Sequence, residues 1–476
     1  MMISVNKIKQ NILDLALRGS LIKQNETDTD SLTTINTILK IQAELKRTDK
    51  RIKYLETLPI GDDVPYNLPQ KWSWIRIGQI EEINLGFTYR PEYVQEGVYF
   101  LSVKDITGGI IDFNSAKKVS VKTYEEASYG SKPKKGDILF GRVCTMGKPQ
   151  IIQTDEPFCI FVSLGFFRDH TNIVNKKYIC YWMESKLFDR QVDLNVGGVC
   201  QKNLNTGWLK NFYIPFPPIE EQERIVAKLD EIFAELDKID EKQIRLATIQ
   251  EKMEAKILKL AIQGKLVEQR SEEGTGEELF KHIQLEKQEL IKQGKIKKEK
   301  TLSAIKEDEI PFEIPSSWKW CKFGQLISLT SGVDLEPKDY FSESNCSSIP
   351  YITGASCVDE KGNLVINRFT DKSHVNSTNG DILLTCKGTI GKITVNDKGN
   401  MHLARQLMGI KTLIDFDFTR YYLMFIVDEL KTKANGLIPG IDRPTVLNYY
   451  LPLPPLEEQK RIVVKIEELL PLCRGN

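Results

Sequence analysis

The chain has 476 residues, enough for two large domains or roughly three ordinary ones. Its 41% hydrophobic and 28% charged residues are those of a folded globular protein and exclude wholesale disorder. A balance of 66 Lys+Arg against 65 Asp+Glu, net +1, neither establishes nor excludes a nucleic-acid partner.

In chain order, residues 1–63 read as an N-terminal helical region in which Ile8, Ile12 and Leu15 recur at helical spacing. The first ten residues, MMISVNKIKQ, lack the continuous apolar core of a signal peptide. Residues 64–215 read as a globular segment opened by Trp72 and Trp74, which are expected in its core. Short strands such as GDILF and FCIFVSLGFF follow, and YICYWMESKLF is expected as one helix. This segment is mildly basic, with 19 Lys and Arg against 15 Asp and Glu.

Residues 216–309 form a central helical region, acidic at 18 Lys and Arg against 22 Asp and Glu. The motif IPFPPIEEQ marks its start: paired prolines end the preceding structure, and acids suit a helix's first turn. Ile225, Leu229, Ile232, Leu236, Ile239, Gln243, Leu246, Gln250, Met253, Ile257 and Leu260 then follow strict 4-3 spacing. Nine of these eleven positions are apolar, a coiled-coil seam in which Gln243 and Gln250 set register. From Ile219 to Ile262 the predicted rod is roughly 65 Å long, and Gly264 is the expected stop.

Residues 310–452 read as a second globular segment, opened by Trp318 and Trp320, with GDILL, KITV and the helix RYYLMFIVDELK. The motif LPLPPLEEQ closes it, and residues 453–476 read as a C-terminal helix carrying Ile462, Ile466 and Leu469 on the same seam. No apolar run of about 18 residues appears anywhere, so no membrane-spanning helix is expected. The nine cysteines are scattered without a C-x-x-C pair and only four histidines accompany them. That disfavours a zinc site and fits reduced thiols in a cytoplasm.

One repeat organises the whole chain. ILDLALRGSLIKQN from Ile12 matches ILKLAIQGKLVEQR from Ile257, and DVPYNLPQKWSW from Asp63 matches EIPFEIPSSWKW from Glu309. GDILFGRVCTMGK from Gly136 matches GDILLTCKGTIGK from Gly380, and FYIPFPPIEEQERIV from Phe212 matches YYLPLPPLEEQKRIV from Tyr449. The order is identical, so one α+β unit is duplicated in tandem. Ile8, Ile12 and Leu15 correspond to Met253, Ile257 and Leu260, so the terminal helices together imitate the central rod. The predicted fold is therefore α+β: two pseudo-symmetric α/β domains separated by a long antiparallel coiled coil that buries the seams.

Catalytic signatures are missing. Neither Pro-Pro pair is preceded by Asn or Asp, as an adenine methyltransferase motif would require. No GxGxxG unit, H-E-x-x-H or G-x-S-x-G occurs, and GRVCTMGKP has the wrong spacing for a phosphate-binding loop. No catalytic residue and no metal ligand is assigned. Two similar but diverged domains on a rod amount to a ruler for two sites on one duplex. Their scaffolds match closely while residues 87–135 and 333–379 barely do, as two different reading surfaces would.

LPLPPLEEQKRIVVKIEELL and its twin, the tryptophan-led openings such as LPQKWSWIRIG, and GDIL followed by GTIGK resemble the specificity subunit of type I restriction-modification systems. The resemblance covers essentially the entire chain and implies two target recognition domains, each reading one half of a bipartite, asymmetric site in double-stranded DNA. It implies two modification subunits and restriction subunits as partners, with no cofactor on this chain. S-adenosylmethionine, ATP and magnesium belong to those partners. The first copy departs from GTIGK by reading CTMGK, leaving Gly147 and Lys148 as its transferable positions.

Glycine-rich turns after the GDIL strands are the expected DNA-facing elements, because small residues let backbone amides approach a phosphate that lysine neutralises. This nominates Gly147, Lys148, Gly391 and Lys392, flanked by Arg142 and Lys387, with plain β-turns as the alternative. Arg405, with a fork suited to guanine, and Lys104, Lys202 and Arg443 complete the set. Ile225, Leu229, Ile232, Leu236, Ile462, Ile466 and Leu469 are the candidate coiled-coil and partner positions. Gln222 and Gln459 read as helix caps or as docking residues. A methylation-only or fused system, a self-sufficient methyltransferase or endonuclease, and a structural coiled coil remain alternative readings.

Overall fold

The computed structural model describes residues 4–106, 109–143, 149–195, 203–298, 302–371, 376–433 and 440–474. The chain divides into two compact units, Met1–Ile244 and Arg245–Asn476. Each unites a sheet domain with helices that the composition shifts separate at 63, 215, 309 and 452. The reason is packing: Leu13, Ala16, Leu17, Ile225 and Leu229 of the helices share one core with Trp72, Phe167 and Trp182 of the sheet domain they flank.

In the first unit, α1 (Val5–Leu17) and α2 (Ser31–Thr48) precede β1 (Ser73–Arg76), the short α3 (Ile77–Ile80) and β2 (Glu82–Leu85). Then come β3 (Val98–Leu101), β4 (Lys117–Val119), α4 (Val121–Glu126), β5 (Ile138–Gly141), β6 (Gln150–Ile151), β7 (Phe158–Ile160) and β8 (Leu164–Arg168). Helices α5 (Lys176–Met183), α6 (Lys186–Asn195) and α7 (Thr206–Leu209) lead to β9 (Tyr213–Phe216) and into α8 (Ile219–Ile262). The strands assemble as β2-β8-β5-β6, β4-β3-β7 and the pair β1-β9. Strands β5 and β8 are buried along their whole length, which explains their apolar runs up to Arg168, whose buried guanidinium pairs with Asp137 at 2.5 Å.

The second unit repeats this plan. After α8 come α9 (Gly276–Lys292), β10 (Lys319–Lys322), α10 (Phe323–Leu326), β11 (Ile327–Ser331), β12 (Ile349–Ile352) and β13 (Phe369–Thr370). Next are β14 (Ile382–Thr385), β15 (Ile393–Val395), β16 (His402–Leu403), β17 (Leu407–Thr412), α11 (Phe416–Thr432), α12 (Arg443–Leu447), β18 (Tyr450–Leu453) and α13 (Leu456–Arg474). Its sheets, β11-β17-β14-β15, β13-β12-β16 and β10-β18, match those of the first unit strand for strand. The stretches whose sequences barely match, 87–135 and 333–379, nevertheless share one topology.

Three expectations change. YICYWMESKLF forms two helices, because Ser185 interrupts the first and its Oγ accepts from Phe188 N at 3.3 Å to start the second. FCIFVSLGFF forms two strands: β7 pairs in parallel with β3, and β8 turns back antiparallel to β5 and β2. The seam is buried only toward its ends. Ile225, Leu229 and Leu236 are buried, the first two in a core shared with Leu13, Ala16 and Leu17. At the other end the predicted Ile257 and Leu260 are only half-buried, and it is their neighbours Leu258 and Ile262 that share a core with Ile462 and Ile466. Ile232 and Leu469 are half-buried. Ile239, Leu246 and Met253 are 41%, 56% and 48% exposed. The covering helices are short, 13 residues in α1 and 19 in α13 against 44 in α8. Lys9 pairs with Asp237 at 2.5 Å and Arg474 with Glu254 at 2.8 Å, and the exposed seam positions lie on α8 between those two points.

Candidate nucleic-acid interface

The turn after β14 is built from the inside. Thr385 Oγ1 donates to Thr389 O at 2.8 Å and accepts from Lys392 N at 2.9 Å, tying both ends of the loop to one hydroxyl. Gly391 has φ +87°, a left-handed conformation that favours glycine, and a Cβ there would also come within 2.8 Å of Val427 Cγ2. Gly388, at φ +74°, faces open space beside exposed Lys387 and Thr389. Lys392 is turned inward: its Nζ donates to Val358 O at 2.9 Å and Ala355 O at 3.2 Å. A phosphate would have to displace those carbonyls. The equivalent turn of the first unit, with Gly147 and Lys148, lies outside the described residues, as does Lys202.

The remaining cations divide by burial. Arg142 is 6% exposed and its guanidinium donates to Leu204 O and Val162 O, both at 2.8 Å. Burial lowers its pKa, and its geometry is that of a clamp between strand and loop. Arg443 is half-buried, with Nη1 donating to Leu329 O. Arg405 is exposed and held by Asp334 through Nε at 2.7 Å, while Asp334 also accepts from its backbone N–H at 3.0 Å. Lys104 is exposed beside Asp105 at 3.8 Å. Lys387 and Arg405 are thus the described candidates that present a cation outward in the second unit, and Lys104 does so in the first.

The helix starts are matched between units. Gln222 and Gln459 are both fully buried. Gln222 Nε2 donates to Pro217 O at 3.1 Å, and Gln459 Nε2 to Pro454 O at 2.9 Å. Arg224 grips Asp28 with two bonds of 3.0 and 2.6 Å, and Arg461 grips Glu273 with two of 2.8 and 2.6 Å. Trp72 is core, its indole N–H donating to buried Glu221 at 2.9 Å. Gln222, Gln459 and Trp72 are committed to the interior. A different set, exposed cations stacked on tyrosines in the diverged stretches, carries no motif that marks it in the sequence. Among the described residues no group of His, Cys, Asp and Glu is arranged to hold a metal ion.

The family model for the type I restriction modification DNA specificity domain matches twice, at residues 69–246 and 315–471. The chain belongs to this family. Each match spans one sheet domain and extends into the helix that follows it. Over 98% of its length the chain is 24% identical to the type I restriction enzyme EcoAI specificity subunit of Escherichia coli, covering 89% of that protein. It is also 24% identical to the putative type I restriction enzyme MjaX specificity subunit of Methanocaldococcus jannaschii, over 84% of this chain and 87% of that one. A solved chain from work on complex assembly and conformational transition of the type I R-M system has the same fold, with TM-score 0.59 at 18% identity over 86% of this chain and 93% of that chain. The two specificity-domain matches correspond to the two topologically identical domains described above.

Proposed function

We propose that this chain is the non-catalytic, sequence-recognising subunit of a type I restriction-modification complex. Each sheet domain reads one half of a bipartite, asymmetric site in double-stranded DNA. Two modification subunits and restriction subunits assemble on the helical regions and bring S-adenosylmethionine, ATP and magnesium. The single observation that carries this reading is the double match: two specificity domains of one topology, in one chain, with different residues on their diverged segments. No helix among the described residues is long and apolar enough to cross a membrane, and in this reading the protein works in the cytoplasm, where its DNA is. Mapping methylated adenines genome-wide in cells with and without the gene tests it. One bipartite, two-halved motif should lose methylation. An unchanged methylation map would remove the proposal, and methyl transfer by the purified chain alone would replace it with a self-sufficient methyltransferase.

A further inference from the structure

Lys117 Nζ lies 4.0 Å from the centroid of the Tyr93 ring, and that ring leans on Phe100 at 5.8 Å. In the second unit the Arg368 guanidinium lies 5.0 Å over the Tyr340 ring, which packs on Tyr351 at 5.3 Å. Hydrogen bonding shows that these are equivalent positions. Strand β3 runs parallel to β7 with Leu101 opposite Ile160, and β12 runs parallel to β16 with Ile352 opposite Leu403. Phe100 and Tyr351 are the residues just before. Opposite Phe100 on β4 stands Lys117, and Arg368 offers its carbonyl to Tyr351 N at 2.8 Å. The residue after each outer ring, Val94 or Phe341, bridges to the residue after each cation, Lys118 or Phe369.

The same stack of inner ring, outer tyrosine and cation therefore recurs where the two copies share almost no sequence. The inner ring changes from Phe to Tyr and the cation from Lys to Arg, yet charge and placement persist. Both cations are exposed, and among the described residues neither pairs with a carboxylate. Further cations lie close by. Lys118 sits over Tyr99 at 5.0 Å in the first unit, and in the second exposed Arg405 holds Asp334, next to Leu335, whose N–H donates to Tyr351 Oη at 3.2 Å. A cation on a ring face keeps its outer N–H groups for another ligand, and the ring holds the long side chain in one place.

We propose that Lys117 and Arg368 are equivalent DNA-phosphate contacts, one in each recognition domain, pre-positioned by Tyr93 and Tyr340. The proposal rests on the DNA-recognition reading above and adds to it the residues that fix each domain on the backbone. Such contacts carry register and affinity, and base contacts carry the sequence.

The test is a salt series of binding by the full chain to random-sequence duplex, read by fluorescence anisotropy. Lys117→Gln and Arg368→Gln should each reduce the slope of log K against log salt by about 0.9. Lys117→Arg should restore it, and thermal unfolding should not move, because both side chains are on the surface. Tyr93→Leu should weaken binding and leave the slope unchanged, since the charge remains while its positioning is lost. If the wild-type chain binds with a steep slope and both Gln variants keep that slope, the proposal is overturned while DNA recognition stands. If the wild-type chain shows no salt-dependent binding, DNA recognition fails and the proposal with it.

Discussion

Gln222 Oε1 accepts a hydrogen bond of 3.2 Å from the backbone N–H of Asn175, the residue that caps α5. In the second unit Gln459 accepts one of 3.0 Å from Asp415, which caps α11. Each glutamine thus joins the start of a long helix to the start of the helix beside it, while its amide nitrogen satisfies a proline carbonyl. Both are fully buried, so truncation leaves a donor and an acceptor without water.

Gln222→Ala and Gln459→Ala should each destabilise their unit by about 1–3 kcal/mol. Hydrogen exchange should report it first at the Asn175 and Asp415 amides. Protection unchanged at both would mean that the glutamines are replaceable fillers.

A second prediction concerns Glu81, which is 1% exposed and has neither carboxylate oxygen hydrogen-bonded among the described residues. Burial holds its pKa well above the usual 4.5; Asp169 and Asp137 add to the rise, and Lys176 opposes it. Folding therefore takes up a proton, and the stability this group contributes is complete below the unfolded value near 4.5. It is lost as pH climbs from there to the raised folded value, at about 1.4 kcal/mol per pH unit. The equivalent residue of the second unit is Ile327, fully buried. Glu81→Ile should raise stability at neutral pH and flatten the pH dependence, measured by urea unfolding. A variant with the wild-type slope would place the titrating group elsewhere.

Lys392 offers a sharper comparison. Its ammonium holds the carbonyls of Ala355 and Val358, so Lys392→Met should cost the second unit about 1–3 kcal/mol, the range for leaving a hydrogen-bond partner unmade. The salt slope of DNA binding should stay at its wild-type value. A slope lower by about one would return this lysine to the phosphate backbone.

The difference between Lys392 and Lys117 shows what the sequence displays and what it hides. The duplication, the seam and the boundary motifs are periodic or repeated, and the ends of α8 follow from them. A glycine turn with a lysine looks like a phosphate loop in sequence, yet where that lysine points depends on carbonyls 34 and 37 residues away. The stack of Lys117 on Tyr93 depends on strand pairing across 24 residues and carries no spacing that its counterpart shares. Burial of Arg142 was equally hidden, because the carbonyls it holds come from Val162 and Leu204.

The last prediction concerns independence of the two domains. Replacing Phe87–Lys210 by the corresponding segment of a relative should change one half of the methylated motif and leave the other half intact. The junctions favour this exchange. Strands β1 and β9, which close the domain, lie outside the exchanged segment, and the bond from Gln222 goes to a backbone N–H that any residue but proline supplies. Side-chain links cross the junction at several places: Trp182 Nε1 and Gln191 Nε2 donate to Tyr213 O at 3.1 and 2.9 Å, His170 pairs with Glu82, Lys177 pairs with Asp230, and two tyrosines reach across. Tyr178 Oη donates to Pro215 O at 2.8 Å, and Tyr181 Oη donates to Asp230 at 2.6 Å. The incoming segment therefore needs side chains that make these bonds, tyrosine at both places among them. A donor lacking the first would leave the buried Pro215 carbonyl without its bond, about 1–3 kcal/mol, and the fold rather than the recognition would then decide the outcome. With both tyrosines present, methylation mapping should show one new half-site beside one old one. If both halves change together, the domains do not read separately, and the matched topology of the two units reflects shared ancestry of the scaffold alone.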